Sequence, residues 1–185
     1  LGAVDADLRD VALGVLVQEE GAPAFDALAA ALDKTHDASL RAQIIDALYQ
    51  PTDATLFARA LDFMVSDHVR RGERIMALFD ATDLWVNEPR TLAWLPAHVD
   101  ALAAAMPETS ASYLPMAFRD AADTATAAAV RAVFAPRIDK IASLKRTVEE
   151  ATESINLHVA YVAKQRPSAS SFFAAVKSER GAATP

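Results

Sequence analysis

Four histidines, His36, His68, His98 and His158, are the side chains of this chain best suited to bind a metal or move a proton near neutral pH. None has a partner ligand at helical spacing and no His-Glu-x-x-His occurs, so each stands alone on its segment. Trp94 and His98 lie one helical turn apart in NEPRTLAWLPAHVDAL, beside Pro96 and near Arg90 and Asp100. A nucleophile is equally hard to find: there is no cysteine and no Gly-x-Ser-x-Gly. RRGER has a single glycine, too few to cradle phosphate. Glu19–Glu20 and Glu149–Glu150 are sequence neighbours on expected helix surface, where carboxylates are solvated. The chain carries no catalytic residue and no metal ligand set that its sequence reveals.

Two polar groups stand out from that background. Arg70, Arg71 and Arg74, with Glu73, fall at a helix start, where cationic charge opposes the helix dipole. Arginines held there point to a tertiary ion pair, or to binding of a carboxylate, which Arg grips with two parallel hydrogen bonds. The simpler alternative is a solvated turn whose contacts stay among Arg70, Glu73 and Arg74. Asn156 and His158, beside the apolar stripe of the last helix, form the second group; there a hydrogen bond to a neighbouring helix is expected for Asn156.

Composition narrows the class of protein that carries these residues. In 185 residues the net charge is −7, and Lys and Arg are scattered, which excludes a phosphate backbone as partner. No apolar run approaches the roughly 20 residues that span a bilayer, so no membrane partner is expected. Alanine and leucine abound while glycine is scarce, with 5 residues, so helix is favoured throughout. The abundant alanine suggests a bacterial source, and a soluble domain of cytoplasm or periplasm is expected. The opening LGAVDADLRDVAL lacks a Met and any signal-like core, and reads as a piece of a longer chain.

The elements that must position the polar groups are helices. Apolar stripes at helical spacing run through Leu8–Leu16, Phe25–Leu32, Leu40–Leu48, Leu56–Met64 and Ile75–Phe79, with a sixth helix in the Trp94 stretch. Asp37 caps the third helix, and Thr52 or Asp53 the fourth. Trp94 is expected in the core with Leu92, Leu95, Val99 and Leu102, with a kink or late helix start at Pro96 and His98 solvated. Shorter helices follow around Tyr113–Phe118 and Thr124–Phe134, and the longest runs from about Pro136 to Lys164. A recurrence every 30–35 or so residues is that of a helical-repeat solenoid. The expected fold is all-α: a right-handed α-solenoid of antiparallel helix pairs, HEAT- or armadillo-like, of about 8–10 helices, ending in a long helix. Residues 1–166 form this domain, and residues 167–185 a tail, weakly ordered or docked through Phe172, Phe173 and Val176.

The order of segments resembles the C-terminal helical domain of zinc aminopeptidases related to aminopeptidase N, over about residues 5–165. The likeness rests on Arg41, Leu48, Asp53, Leu56, Arg59, Ala60 and Leu61, and on the turn led by Arg70 and Glu73. It continues in the helix carrying Arg90, Ala93, Trp94, Asp100 and Leu102, and in VFAPR, Val133 to Arg137. The resemblance implies that zinc and catalysis belong to an upstream domain with His-Glu-x-x-His and Gly-x-Met-Glu-Asn motifs, neither of which occurs here. It also implies a non-catalytic solenoid that covers the active-site chamber and shapes peptide access. Its partners are then the catalytic domain of the same chain and the peptide substrate. Arg70, with Glu73, becomes the candidate substrate-binding group, Arg70 facing a substrate carboxylate. Gly72 departs from the Asn that family members often have between them. The alternative is a free-standing helical-repeat module that binds a protein on its concave face.

Overall fold

The computed structural model describes residue 5 and residues 8–182, with side chains through residue 177. The start of the expected solenoid (residues 1–4, 6 and 7) and the end of the expected tail (residues 183–185) lie outside the described residues. Among the described residues every regular element is helical: α1 (Arg9–Glu20), α2 (Ala22–Lys34), α3 (Ala38–Leu48), α4 (Ala54–Met64), α5 (Arg74–Asp83), α6 (Glu88–Ala104), α7 (Glu108–Ala111), α8 (Thr124–Phe134) and α9 (Leu144–Ala182). Short 3-10 segments lie at Leu114–Phe118 and Ala135–Arg137.

Helix starts follow their caps. The carboxylates of Asp37, Asp53 and Asp123 accept from the amides of Leu40, Leu56 and Thr126 at 2.9, 2.8 and 3.3 Å. Of the two residues eligible to cap α4, Asp53 is the one used. Between α1 and α2 a single residue, Gly21, turns the chain with φ +64° while its amide bonds the Val17 carbonyl. A Cβ at Gly21 would meet no atom within 4 Å, so only the backbone resists substitution. Gly21→Ala should therefore cost about 1–2 kcal/mol in urea denaturation, and Gly72→Ala within about 0.5 kcal/mol. Equal costs would remove the conformational argument.

The helices stack in two layers. α1, α3, α5, the Leu114–Phe118 segment and α9 pack in succession; α4, α6 and α8 form the other layer, with α2 against α1 and α3. Phe25, Leu32, Ile44, Leu48, Phe57, Met64, Leu78, Leu95, Leu102, Phe118 and Phe134 fill one continuous core between the layers. The polar ties carry the repeat. Arg59 to Asp26, Trp94 to Asp62, Thr82 to Ala117 and Arg137 to Asp100 each join residues 32–37 apart. Side chains of one repeat thus reach the next, as expected where each unit buries its face only against its neighbours.

Several local expectations change. The stripe read on α1 is its outer face: Leu8, Val11 and Val15 are exposed, whereas Leu13 and Val17 enter the core. That helix is apolar on both sides, and periodicity does not say which side a neighbour covers. Trp94 is half-buried at the core's edge, its Nε1 donating to Asp62 at 3.1 Å. His98 is also half-buried rather than solvated, stacked on the Trp94 ring with centroids 4.1 Å apart and its Nδ1 2.9 Å from the Trp94 carbonyl. Pro96 lies exposed inside a continuous α6. The last helix starts at Leu144, because the chain turns through Ala135–Arg137 and then Ser143 at φ +65°. It runs on through Pro167 to Ala182, with Phe172 and Phe173 exposed.

Candidate functional site

The turn joining α4 to α5 gathers all four of the charged residues singled out there, and one further arginine. Glu73 closes it: its amide bonds the Arg70 carbonyl at 2.9 Å, and its carboxylate accepts from the Arg70 amide at 2.9 Å. The same carboxylate is held by Arg41 from α3, at 2.6 Å from Nε and 2.8 Å from Nη2. Arg41 is 3% exposed and also donates to the carbonyls of Leu32 at 2.6 Å and His68 at 3.1 Å. One guanidinium therefore ties the end of α2, the start of α3 and the turn before α5. Burial alone would raise the Glu73 carboxyl; the hydrogen bonds from Arg41 and the Arg70 amide, with the two guanidinium charges, outweigh it and hold Glu73 below the usual carboxylate range.

The neighbouring arginines do something else. Arg74 is buried and donates to the carbonyls of Val69, Ala105 and Ser66 at 3.2, 2.9 and 2.9 Å. Arg71 donates to the Met106 carbonyl at 3.0 Å. Both thus sit against the C-terminal end of α6, where carbonyls lack helical partners and the dipole is negative. Their unfavourable place at the start of α5 is offset by a favourable one at the end of α6. Arg70 is the exception. Its side chain is about half exposed, and its guanidinium comes no nearer than 3.9 Å to the Glu73 carboxylate.

Gly72 and Glu73 form one wall of a groove of about 470 Å³ over α1, α3 and α5. Ala38, Ala42, Ile45 and Met76 give it an apolar floor, and Asp10, Asp46 and Asp80 an acidic rim. Burial, then Asp10, which shares a hydrogen bond with it, push Asp46 up to about 6. Burial, then the charges of Asp46, Asp83 and Asp10, push Asp80 up to about 7.

The structure brings Arg70 and Glu73 together and adds Arg41, which sequence reasoning had placed only as a motif residue. Its signal was present: an arginine inside the apolar stripe of α3 requires a buried partner. Arg137 and Asp100, likewise motif residues, pair at 2.5 and 2.7 Å. Asn156 is exposed on the groove between α8 and α9, and the Nδ1 of His158 is buried without a hydrogen-bond partner. Among the described residues no group of three or more His, Asp or Glu side chains is placed to hold a metal ion, and no helix is long and apolar enough to cross a membrane.

No curated protein matches the chain. A family model, described as the ERAP1-like C-terminal domain, matches residues 1–157, which include the capped helices, the Arg41–Glu73 clasp and the Arg137–Asp100 pair. The chain belongs to the ERAP1-like C-terminal domain family.

Proposed function

We propose that this chain is the non-catalytic C-terminal domain of a zinc-dependent aminopeptidase, covering the active-site chamber and shaping which peptides reach it. Family membership supports the domain's place in such an enzyme. On this reading zinc belongs to the catalytic domain of that enzyme. Within the domain, Arg70 is the substrate-binding residue and Glu73 its support. The observation that carries this role is the contrast within one turn. Arg41, Arg71 and Arg74 spend their donors on protein acceptors, while the Arg70 guanidinium stands about half exposed and comes no nearer than 3.9 Å to the Glu73 carboxylate. A guanidinium so placed suits the C-terminal carboxylate of a peptide, which it can meet with two charge-assisted hydrogen bonds.

The test is made in the full-length enzyme. Arg70→Ala should raise KM for peptides with free C-termini by about tenfold, and much less for C-terminally amidated ones, at unchanged kcat. Equal effects on both substrate types would discard the carboxylate role. The reading as a free-standing interaction module predicts instead that no His-Glu-x-x-His precedes this domain in its reading frame.

A further inference from the structure

Among the described residues, none packs over the last stretch of α9. From Ala160 to Lys177 every residue is exposed except Val162 and Val176, which are half-buried. Leu157, Tyr161, Phe172 and Phe173 are 63, 62, 63 and 68% exposed. A helix gains little stability in water from propensity alone, and one this apolar is stabilised by a surface that covers it. Its charge restricts what that surface is. Between Glu153 and Glu179 the sequence has Lys164, Arg166 and Lys177 and no acidic residue, although the whole chain carries −7. The family match ends at residue 157, so this arm lies beyond what the family model describes.

The complementary surface is present on the same molecule. The groove over α1, α3 and α5 has an apolar floor, with Met76 57% exposed, and an acidic rim of Asp10, Asp46 and Asp80. Among the described residues no Lys or Arg pairs with any of these three carboxylates, and the hydrogen bond from Gln50 to Asp46, at 3.3 Å, brings no charge. The groove lies on the first three helices of the layer and the arm leaves from the last, so an arm reaches this groove most directly from another molecule. We infer that the occupant is a second copy of this chain: the basic, aromatic arm of α9 docks in the acidic groove over α1, α3 and α5 of its neighbour.

Other coverings fit less well. Two arms laid side by side would oppose Lys and Arg of like sign, which is unfavourable. An anionic lipid surface would attract the arm but repel the acidic remainder of the chain. In the arm–groove pairing, Lys164, Arg166 or Lys177 supplies the cation that the groove's carboxylates lack, and the aromatic rings cover its apolar floor. The inference is independent of the role given to Arg70.

Sedimentation equilibrium of the 185-residue chain over a wide concentration range tests it. Self-association is expected, weakening with added salt. Lys164→Glu with Arg166→Glu, Phe172→Ser with Phe173→Ser, and Asp10→Lys should each weaken it by about tenfold or more. All five positions are exposed, so the helical circular dichroism should not change. Mixing the charge-reversed arm variant with the Asp10→Lys variant should restore a hetero-association. A chain that stays monomeric at all concentrations overturns the proposal, as does association untouched by the arm variants or a mixture that fails to recover. Binding of the monomeric chain to phosphatidylserine vesicles, lost in the arm variants, would assign the arm to lipid instead.

Discussion

Arg41→Ala should lower the stability of the folded domain by about 3–5 kcal/mol, the range for breaking a buried ion pair by removal of one partner. The substitution leaves the Glu73 carboxylate without its two guanidinium bonds, and strips the Leu32 and His68 carbonyls of a donor. Lysine does not rescue it, because one ammonium cannot reproduce a planar fork that serves a carboxylate and carbonyls from two other segments at once. Arg41→Lys is therefore expected to recover less than half of the loss. Removing both partners, as in Arg41→Met with Glu73→Gln, should cost less than the sum of the single changes, since no charge is then left uncompensated. Urea midpoints of the wild type, these variants and the two single changes check this, and a loss under about 1 kcal/mol for Arg41→Ala would show that the pair does not hold the turn. On the proposed role of Arg70, Arg41→Ala should also raise KM for peptides with free C-termini in the full-length enzyme, because the Glu73 that Arg41 holds fixes the Arg70 backbone.

The second large effect is on pH dependence. Asp46 and Asp80 are pushed up to about 6 and about 7. In the unfolded chain both lose their protons near the ordinary aspartate value of about 3.9. Between those limits the folded protein binds more protons than the unfolded one, so stability falls as pH rises from about 4 and levels off above about 7. Asp80→Asn keeps the shape and removes the charge. It should stabilise the domain at pH 8 by about 2 kcal/mol, allowing for partial screening by solvent, and have little effect near pH 4. A gain of the same size at both pH values would assign the effect to packing rather than charge. Glu73 and Asp100 act in the opposite direction: both are held low, so the stability they confer is present above the ordinary carboxylate range and is lost as pH falls through their folded values.

The helices themselves were legible because the signals that make them are local. Alanine and leucine at helical spacing, an aspartate before each of α3 and α4, and a glycine or proline at the breaks decide where a helix starts and stops. The period of the repeat was legible for the same reason, and the family resemblance was carried by residues now seen to join one repeat to the next. Less legible was anything that depends on which helix lies beside which. A stripe on α1 looks like a core face until it is clear that nothing among the described residues packs on it. Phe172 and Phe173 give no sign in sequence of being exposed on one long helix.

The sequence alone determined an all-helical repeat domain without an evident reactive constellation, since propensity, capping and residue inventory do not depend on distant neighbours. The tertiary structure decided what each arginine is for. Arg70, Arg71 and Arg74 are nearly equivalent in sequence, yet two are drawn to the carbonyl end of α6 and one is left facing solvent. The physical reason is that a guanidinium goes to whatever unpaired acceptor the fold brings within reach. Those acceptors lie one repeat away, beyond what local sequence encodes.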